Sequence, residues 1–225
     1  MSTSAIARLK VTRDYVEPLV MRRIEVPVDI RLDRLHLALQ AAMGWEAYHL
    51  WEFHVRSLRF GPPGQDFGFG DGPLNAEKAT LQAVIEAAGA KTLKYLYDFG
   101  DGWEHTIKVE RISEAASDAA YPVLIEARGA CPPEDVGGLP GYAEYLEAMA
   151  DPDDKRHDEL VQWRGPDFDP DDPHTARINA ALVALAKRWN RKPSTKQKKT
   201  SPKAGPPDAS DESTIDSDFD HSVTG

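Results

Sequence analysis

One polar run stands out between two apolar strands: Tyr97-Asp98-Phe99-Gly100-Asp101-Gly102-Trp103-Glu104-His105. Asp-Gly is a strong signal for a two-residue hairpin turn. A turn on Asp101-Gly102 pairs Gly100 with Trp103, Asp98 with His105 and Leu96 with Ile107. The Asp98 and His105 β-carbons then stand about 5 Å apart on the face that also carries Leu96, Ile107 and Val109. A carboxylate beside a partly dry imidazole orients the ring and raises its basicity, as a general base or a metal ligand requires. The bland counterpart is a structural hydrogen bond that closes the hairpin.

A second run is Cys131-Pro132-Pro133-Glu134-Asp135-Val136-Gly137-Gly138-Leu139-Pro140-Gly141-Tyr142. Two prolines stiffen its entry, paired carboxylates follow, and glycines allow close backbone approach before a helix. The candidate catalytic groups are therefore His105, Asp98, Glu134 and Asp135. The candidate ligand-binding groups are His49, Trp51, Tyr97, Asp101, Trp103 and Tyr142. His49 would complete a His49, His105, Asp98 and Glu134 set of the type that zinc or manganese accepts. No H-E-x-x-H or C-x-x-C spacing accompanies it, so no metal ligand is assigned and no cofactor is named. The run from Asp167 to Asp172 lacks the central glycine and terminal glutamate of a calcium loop and reads as an acidic connection.

The elements that position these groups follow from periodicity. Ile6–Tyr15 and Leu19–Val26 alternate as half-buried strands. Leu32, Leu35, Leu39 and Met43 recur at helical spacing, and Gly44 is a fitting stop. From His49 to Val55 the alternation returns, with His49, Trp51, Phe53 and Val55 on one face; residues 56 to 60 extend the same strand. Gly61–Asn75 is a Gly/Pro-rich loop containing Phe67 and Phe69. Thr80 caps a short helix that Gly89 ends. Leu93–Phe99 and Trp103–Ile112 form the hairpin, and Pro122–Glu126 a further strand. Helices follow over Tyr142–Met149 and Asp154–Trp163. Asp172 and Pro173 open a last amphipathic helix whose stripe is Ile178, Leu182, Leu185 and Trp189. Strand pairs joined by hairpin-length turns give an α+β fold, a mixed or mostly antiparallel sheet with helices on one face. This domain spans residues 1–189. A basic-then-acidic stretch over 190–225 is too poor in apolar residues to offset its ordering entropy and reads as a disordered tail.

The chain has 225 residues, enough for a core without staples. Its single cysteine, Cys131, forms no disulfide within the chain. No signal-peptide core or membrane-length apolar run is present, so the expected compartment is the cytoplasm and no membrane partner is expected. Of 27 basic and 37 acidic side chains, eight and six lie from Lys187 onward, which leaves the body 19 and 31, a charge of −12. Such a body repels phosphate, so nucleic acid is expected only through the basic segment 187–203.

Together the two runs resemble the signature motifs of the plasmid pRiA4b ORF-3-like family, also labelled insertion-element passenger TnpR-like. The resemblance covers about Ile6 to Trp189 and extends to the opening strand pair, the Leu32 helix, the His49-Leu50-Trp51-Glu52-Phe53 strand and Phe168-Asp169-Pro170. It implies a bacterial or archaeal α+β domain encoded on plasmids or beside transposable elements, and it implies no reaction. The resolvase suggested by the label has no support here, since neither a serine–arginine site nor a helix-turn-helix is found. The leading expectation is an accessory protein of mobile elements that binds a peptide or small polar ligand in a cleft between the 97–105 hairpin and the 131–142 loop. The alternative is a hydrolase-like enzyme, with or without a metal, in which His105 is the base, Asp98 its orienting partner and Glu134 and Asp135 the acid or metal ligands. A nucleic-acid-associated protein of a transposable element comes third.

Overall fold

Alternate side chains of nearly every strand turn to one face, and that pattern builds the molecule. The computed structural model describes residues 5–64 and 72–190. Phe67, Phe69 and the tail from residue 191 lie outside the described residues. The strands are β1 (Ala5–Arg13), β2 (Met21–Pro27), β3 (Trp51–Val55), β4 (Leu58–Gly61), β5 (Leu74–Asn75), β6 (Thr92–Tyr97), β7 (Trp103–Glu114) and β8 (Val123–Arg128). They form one mixed sheet in the order β5-β4-β3-β6-β7-β1-β2-β8, antiparallel except between β4 and β5. The helices are α1 (Leu32–Met43), α2 (Leu81–Ala88), α3 (Gly138–Ala150), α4 (His157–Arg164) and α5 (Thr175–Asn190). Among the described residues no helix is long and apolar enough to cross a membrane.

Leu9, Val11, Ile24, Phe53, Tyr95, His105 and Ile107 share the covered face with Leu32, Leu35 and Leu39 of α1, Leu81 and Val84 of α2, and Ile178 and Leu182 of α5. The opposite face is polar and laced with pairs such as Arg8–Glu25, Arg23–Glu110 and Lys94–Asp14. The fold is thus the expected α+β class, a mostly antiparallel sheet with helices on one face.

Local chemistry accounts for the helix ends. Gly44 ends α1 at φ 86°, its N–H returning to the Gln40 carbonyl. Thr80 Oγ1 accepts from the Ala83 N–H, and Gly89 closes α2 in the left-handed region. Elsewhere the boundaries move. The strand expected to run on from Val55 reverses at Arg56 and Ser57 and returns as β4, with Phe53 opposite Phe60. His49 precedes β3 rather than belonging to it. α3 begins at Gly138, four residues earlier than expected, with Pro140 in its first turn, where the missing N–H costs nothing. Asp172 accepts from the His174 N–H as a turn, and α5 starts only at Thr175.

One buried charge ties the sheet to α1. Arg22 is 1 % exposed and donates to three carbonyls, those of Ala42, Met21 and Arg128 at 2.7, 2.9 and 2.7 Å. Burial lowers its pKa. Lysine cannot reproduce that fork. Arg22→Lys should therefore cost about 2 kcal/mol, read as a lower urea midpoint at unchanged slope. An unchanged midpoint would mean that these carbonyls find other donors.

Candidate functional site

The hairpin loop differs from the expected two-residue turn, and the difference decides the site. Tyr97 pairs with Trp103, and Tyr95, not Asp98, pairs with His105. Residues 98–102 form a five-residue loop. Asp98 leaves the ladder at φ 55°, where its Oδ1 accepts from the Gly100 and Asp101 N–H groups at 3.0 and 3.3 Å. The Gly102 N–H closes the loop onto the Asp98 carbonyl at 2.7 Å. Aspartate tolerates this conformation because its short side chain bonds its own turn. The Asp98–His105 dyad accordingly does not form.

His105 sits in the core. It is fully buried, its Nδ1 donates to the Tyr95 carbonyl at 3.2 Å, and its Nε2 is buried without a partner among the described residues. Burial, with the nearby Arg13 charge, pushes its pKa down to about 3. Trp103 is fully buried under the Arg13 guanidinium, 4.1 Å from the ring centre. Trp51 lies flat on His36 at 4.3 Å. Tyr142 is buried in α3. His105, expected as a catalytic base, and Trp51, Trp103 and Tyr142, expected at the ligand, are all buried in this packing. Cys131 is half-buried, and burial raises its thiol to about 12, the reverse of nucleophile activation.

The second motif closes onto the first. Trp45, just past α1, donates Nε1–H to the Pro132 carbonyl at 2.9 Å, stacks on Tyr97 at 4.9 Å and meets the His105 ring edge-on. Glu134 is 6 % exposed, accepts the Tyr97 hydroxyl and takes the Glu46 N–H at 3.0 Å. Burial and this carboxylate raise the Tyr97 pKa, while the backbone of His49 and Tyr48 at the same hydroxyl pulls the other way. The tyrosine thus links the glutamate to the segment that carries His49. Asp101 Oδ2 accepts from the Gly137 N–H at 3.2 Å. The two motifs pack directly against each other, Asp101 on Gly137 and Gly138. A cavity of about 210 Å³ borders the 131–134 segment, lined by Trp45, Cys131, Glu134, Arg164 and Arg177 among others and by no hairpin residue.

What this packing delivers to the surface is a three-residue cluster. His49 Nε2 lies 3.0 Å from Asp135 Oδ1 and 3.4 Å from Asp98 Oδ2. One ligand atom from each residue lies within 4.8 Å of the others, a group able to hold a metal ion. Asp135 is held at φ 59° and accepts the Tyr48 hydroxyl on Oδ2 at 2.7 Å. That hydrogen bond is the first cause of a raised Tyr48 pKa. So the structure brings His49, Asp98 and Asp135 together, with Asp101 close behind. His105 and Glu134, expected in the same set, are placed elsewhere. Sequence reasoning missed Tyr48 and Trp45, although a tyrosine beside a candidate histidine and a tryptophan after a helix-stopping glycine were both visible.

The chain matches the family described as "Plasmid pRiA4b ORF-3-like protein" over residues 5–176. It belongs to that family. It is 51 % identical over 190 residues to "Uncharacterized protein y4hQ" of Sinorhizobium fredii, covering 84 % of this chain and 96 % of that one. It also resembles the crystal structure of a protein of unknown function, MM3350, from Methanosarcina mazei Go1. There the TM-score is 0.67 at 34 % identity, over 76 % of this chain and 97 % of the other. The match to the family spans β1 to the start of α5 and so contains both motifs and the whole His49 cluster.

Proposed function

We propose that this pRiA4b ORF-3-like protein is a binding protein for a small polar ligand, engaged where His49, Asp98 and Asp135 converge. One observation carries the reading. Each motif holds one aspartate at positive φ, and both carboxylates reach the same imidazole. Non-glycine residues in that region store strain that the surrounding structure must hold, and such strain gathers at binding and active sites. The plasmid in the family's description supports an accessory role on mobile DNA, in the cytoplasm.

The hydrolase alternative loses its intended base, because the His105 ring is enclosed by Trp45 and Tyr95. The binding reading is tested by a thermal-shift screen of short peptides, carboxylates and polyols on wild type and Asp135→Asn. The Asp135 side chain is 56 % exposed, so the variant keeps the fold. At least one class should raise the wild-type Tm by about 2 °C or more and leave the variant unmoved. No response from any class, or equal responses, would remove the reading.

A further inference from the structure

Resting on that reading and naming its ligand class, we propose that His49, Asp98 and Asp135 form a site for a first-row divalent transition ion such as Zn²⁺, Mn²⁺ or Co²⁺. Three features of the cluster converge on it.

The first is how each carboxylate uses its two oxygens. Asp98 Oδ1 is taken by the Gly100 and Asp101 N–H groups, whereas Oδ2 accepts from no donor among the described residues and points at His49 Nε2. Asp135 Oδ2 is taken by the Tyr48 hydroxyl, whereas Oδ1 points at the same nitrogen. In both, a hydrogen bond fixes one oxygen and turns the other inward, as outer partners do for metal-ligating carboxylates. The Asp98 side chain is only 10 % exposed, so its free oxygen cannot be explained as an ordinary solvated carboxylate.

The second is His49 itself. Its Nε2 is closed to solvent and makes no hydrogen bond among the described residues, although two carboxylate oxygens lie within 3.4 Å. A buried polar atom without a partner calls for a physical reason, and an absent ion is one.

The third is distance. Ligands about 2.1 Å from a metal stand roughly 3.4 Å apart at tetrahedral and about 3.0 Å apart at cis-octahedral corners. The observed 3.4 and 3.0 Å separations fall in this range, and all three ligand atoms lie within 4.8 Å of one another, close enough to share one small ion. One imidazole with two carboxylates suits Zn²⁺, Mn²⁺ or Co²⁺, whereas Mg²⁺ and Ca²⁺ prefer oxygen alone. Three protein ligands leave coordination positions open. The exposed flank of Asp135 puts them at the surface, where a carboxylate or phosphate from a small molecule would complete the shell.

The test uses the full chain, stripped of metal by chelation, titrated calorimetrically with ZnCl₂, MnCl₂ and CoCl₂, with MgCl₂ as the contrast. One equivalent of a transition ion should bind and raise the Tm, with Mg²⁺ at least ten-fold weaker. His49→Ala and Asp135→Asn should each lose ten-fold or more in affinity, and Tyr48→Phe, which only frees Asp135 to rotate, a smaller factor. If His49→Ala does not fold, the exposed Asp135→Asn carries the comparison. An imidazolium–carboxylate ion pair alone would show no one-equivalent binding, and binding unchanged in the variants would assign the ion to other residues; either overturns the site. A chain that ignores every ion yet keeps an Asp135-dependent response to organic ligands would lose this inference and retain the binding reading. One that fails both screens loses both.

Discussion

Gly138→Ala should destabilise the protein by about 3 kcal/mol, a fall in Tm of roughly 6–12 °C for a domain of this size. Gly44→Ala should cost no more than about 1 kcal/mol. Both glycines have positive φ, 69° and 86°, so alanine pays conformational strain at either. They differ in what the new methyl meets. A β-carbon on Gly44 finds nothing within 4 Å. On Gly138 it would stand 2.6 Å from the Asp101 carbonyl oxygen and 3.4 Å from its carbon. Those are backbone atoms of the hairpin loop, which the Asp98 turn and the Gly137–Asp101 bond hold in place, so they cannot step aside as a flexible side chain would. Gly138 is one place where the two motifs touch, and a methyl there should drive the loop, and Asp98 with it, away from His49. The response to ligand at the cluster should fall along with the melting temperature. Equal losses at positions 44 and 138 would show that the motifs do not depend on this contact.

The same contact explains what was legible in the sequence and what was not. α1 with Gly44 and α2 between Thr80 and Gly89 were readable because helix ends are set by residues adjacent in the chain. The hairpin misled because two local signals compete there. Asp101-Gly102 favours a tight turn, yet Asp98 captures two N–H groups and takes itself out of the ladder, which moves every partner on β6 by three residues. His105 kept its expected side of the sheet, but its neighbours became Tyr95, Trp45 and Arg13 instead of an aspartate. The cluster at His49 was half visible. Asp98 and Asp135 were named as acids, but their meeting depends on Tyr97, Trp45 and Glu134, which join segments roughly 40 to 90 positions apart and leave no trace in periodicity. His36 could have been found, since it lies on the apolar stripe of α1 one turn after Leu32.

That buried histidine and its counterpart in β7 set the acid limit of the fold. His36 is 4 % exposed and His105 fully buried. Burial is the first cause that lowers each from an ordinary value near 6.5 to about 3. The hydrogen bonds agree with neutral rings. Tyr95 accepts from Gln40 Nε2 at 2.9 Å, and donating its own hydrogen to His36 Nδ1 at 2.7 Å satisfies both groups with the ring neutral. His105 donates through Nδ1, and protonating Nε2 would place a cation near the buried Arg13. The unfolded chain takes up protons near pH 6.5, and the folded chain does so only near pH 3. The stabilising contribution is therefore fully present above about pH 6.5 and is lost as the pH falls toward 3, at about 1.4 kcal/mol per pH unit for each ring. Two rings acting together remove roughly 4 kcal/mol between pH 8 and 5, a large share of a typical 5–15 kcal/mol. Urea midpoints from pH 8 to 4.5 should trace that fall. His36→Gln, which keeps a partner for Tyr95, and His105→Phe each remove one titrating ring. Each should flatten the acid slope by about half, whatever it does to stability at pH 8. A slope unchanged in both core variants would place the acid sensitivity in the carboxylates instead, and the buried rings would then be spectators of unfolding rather than its cause.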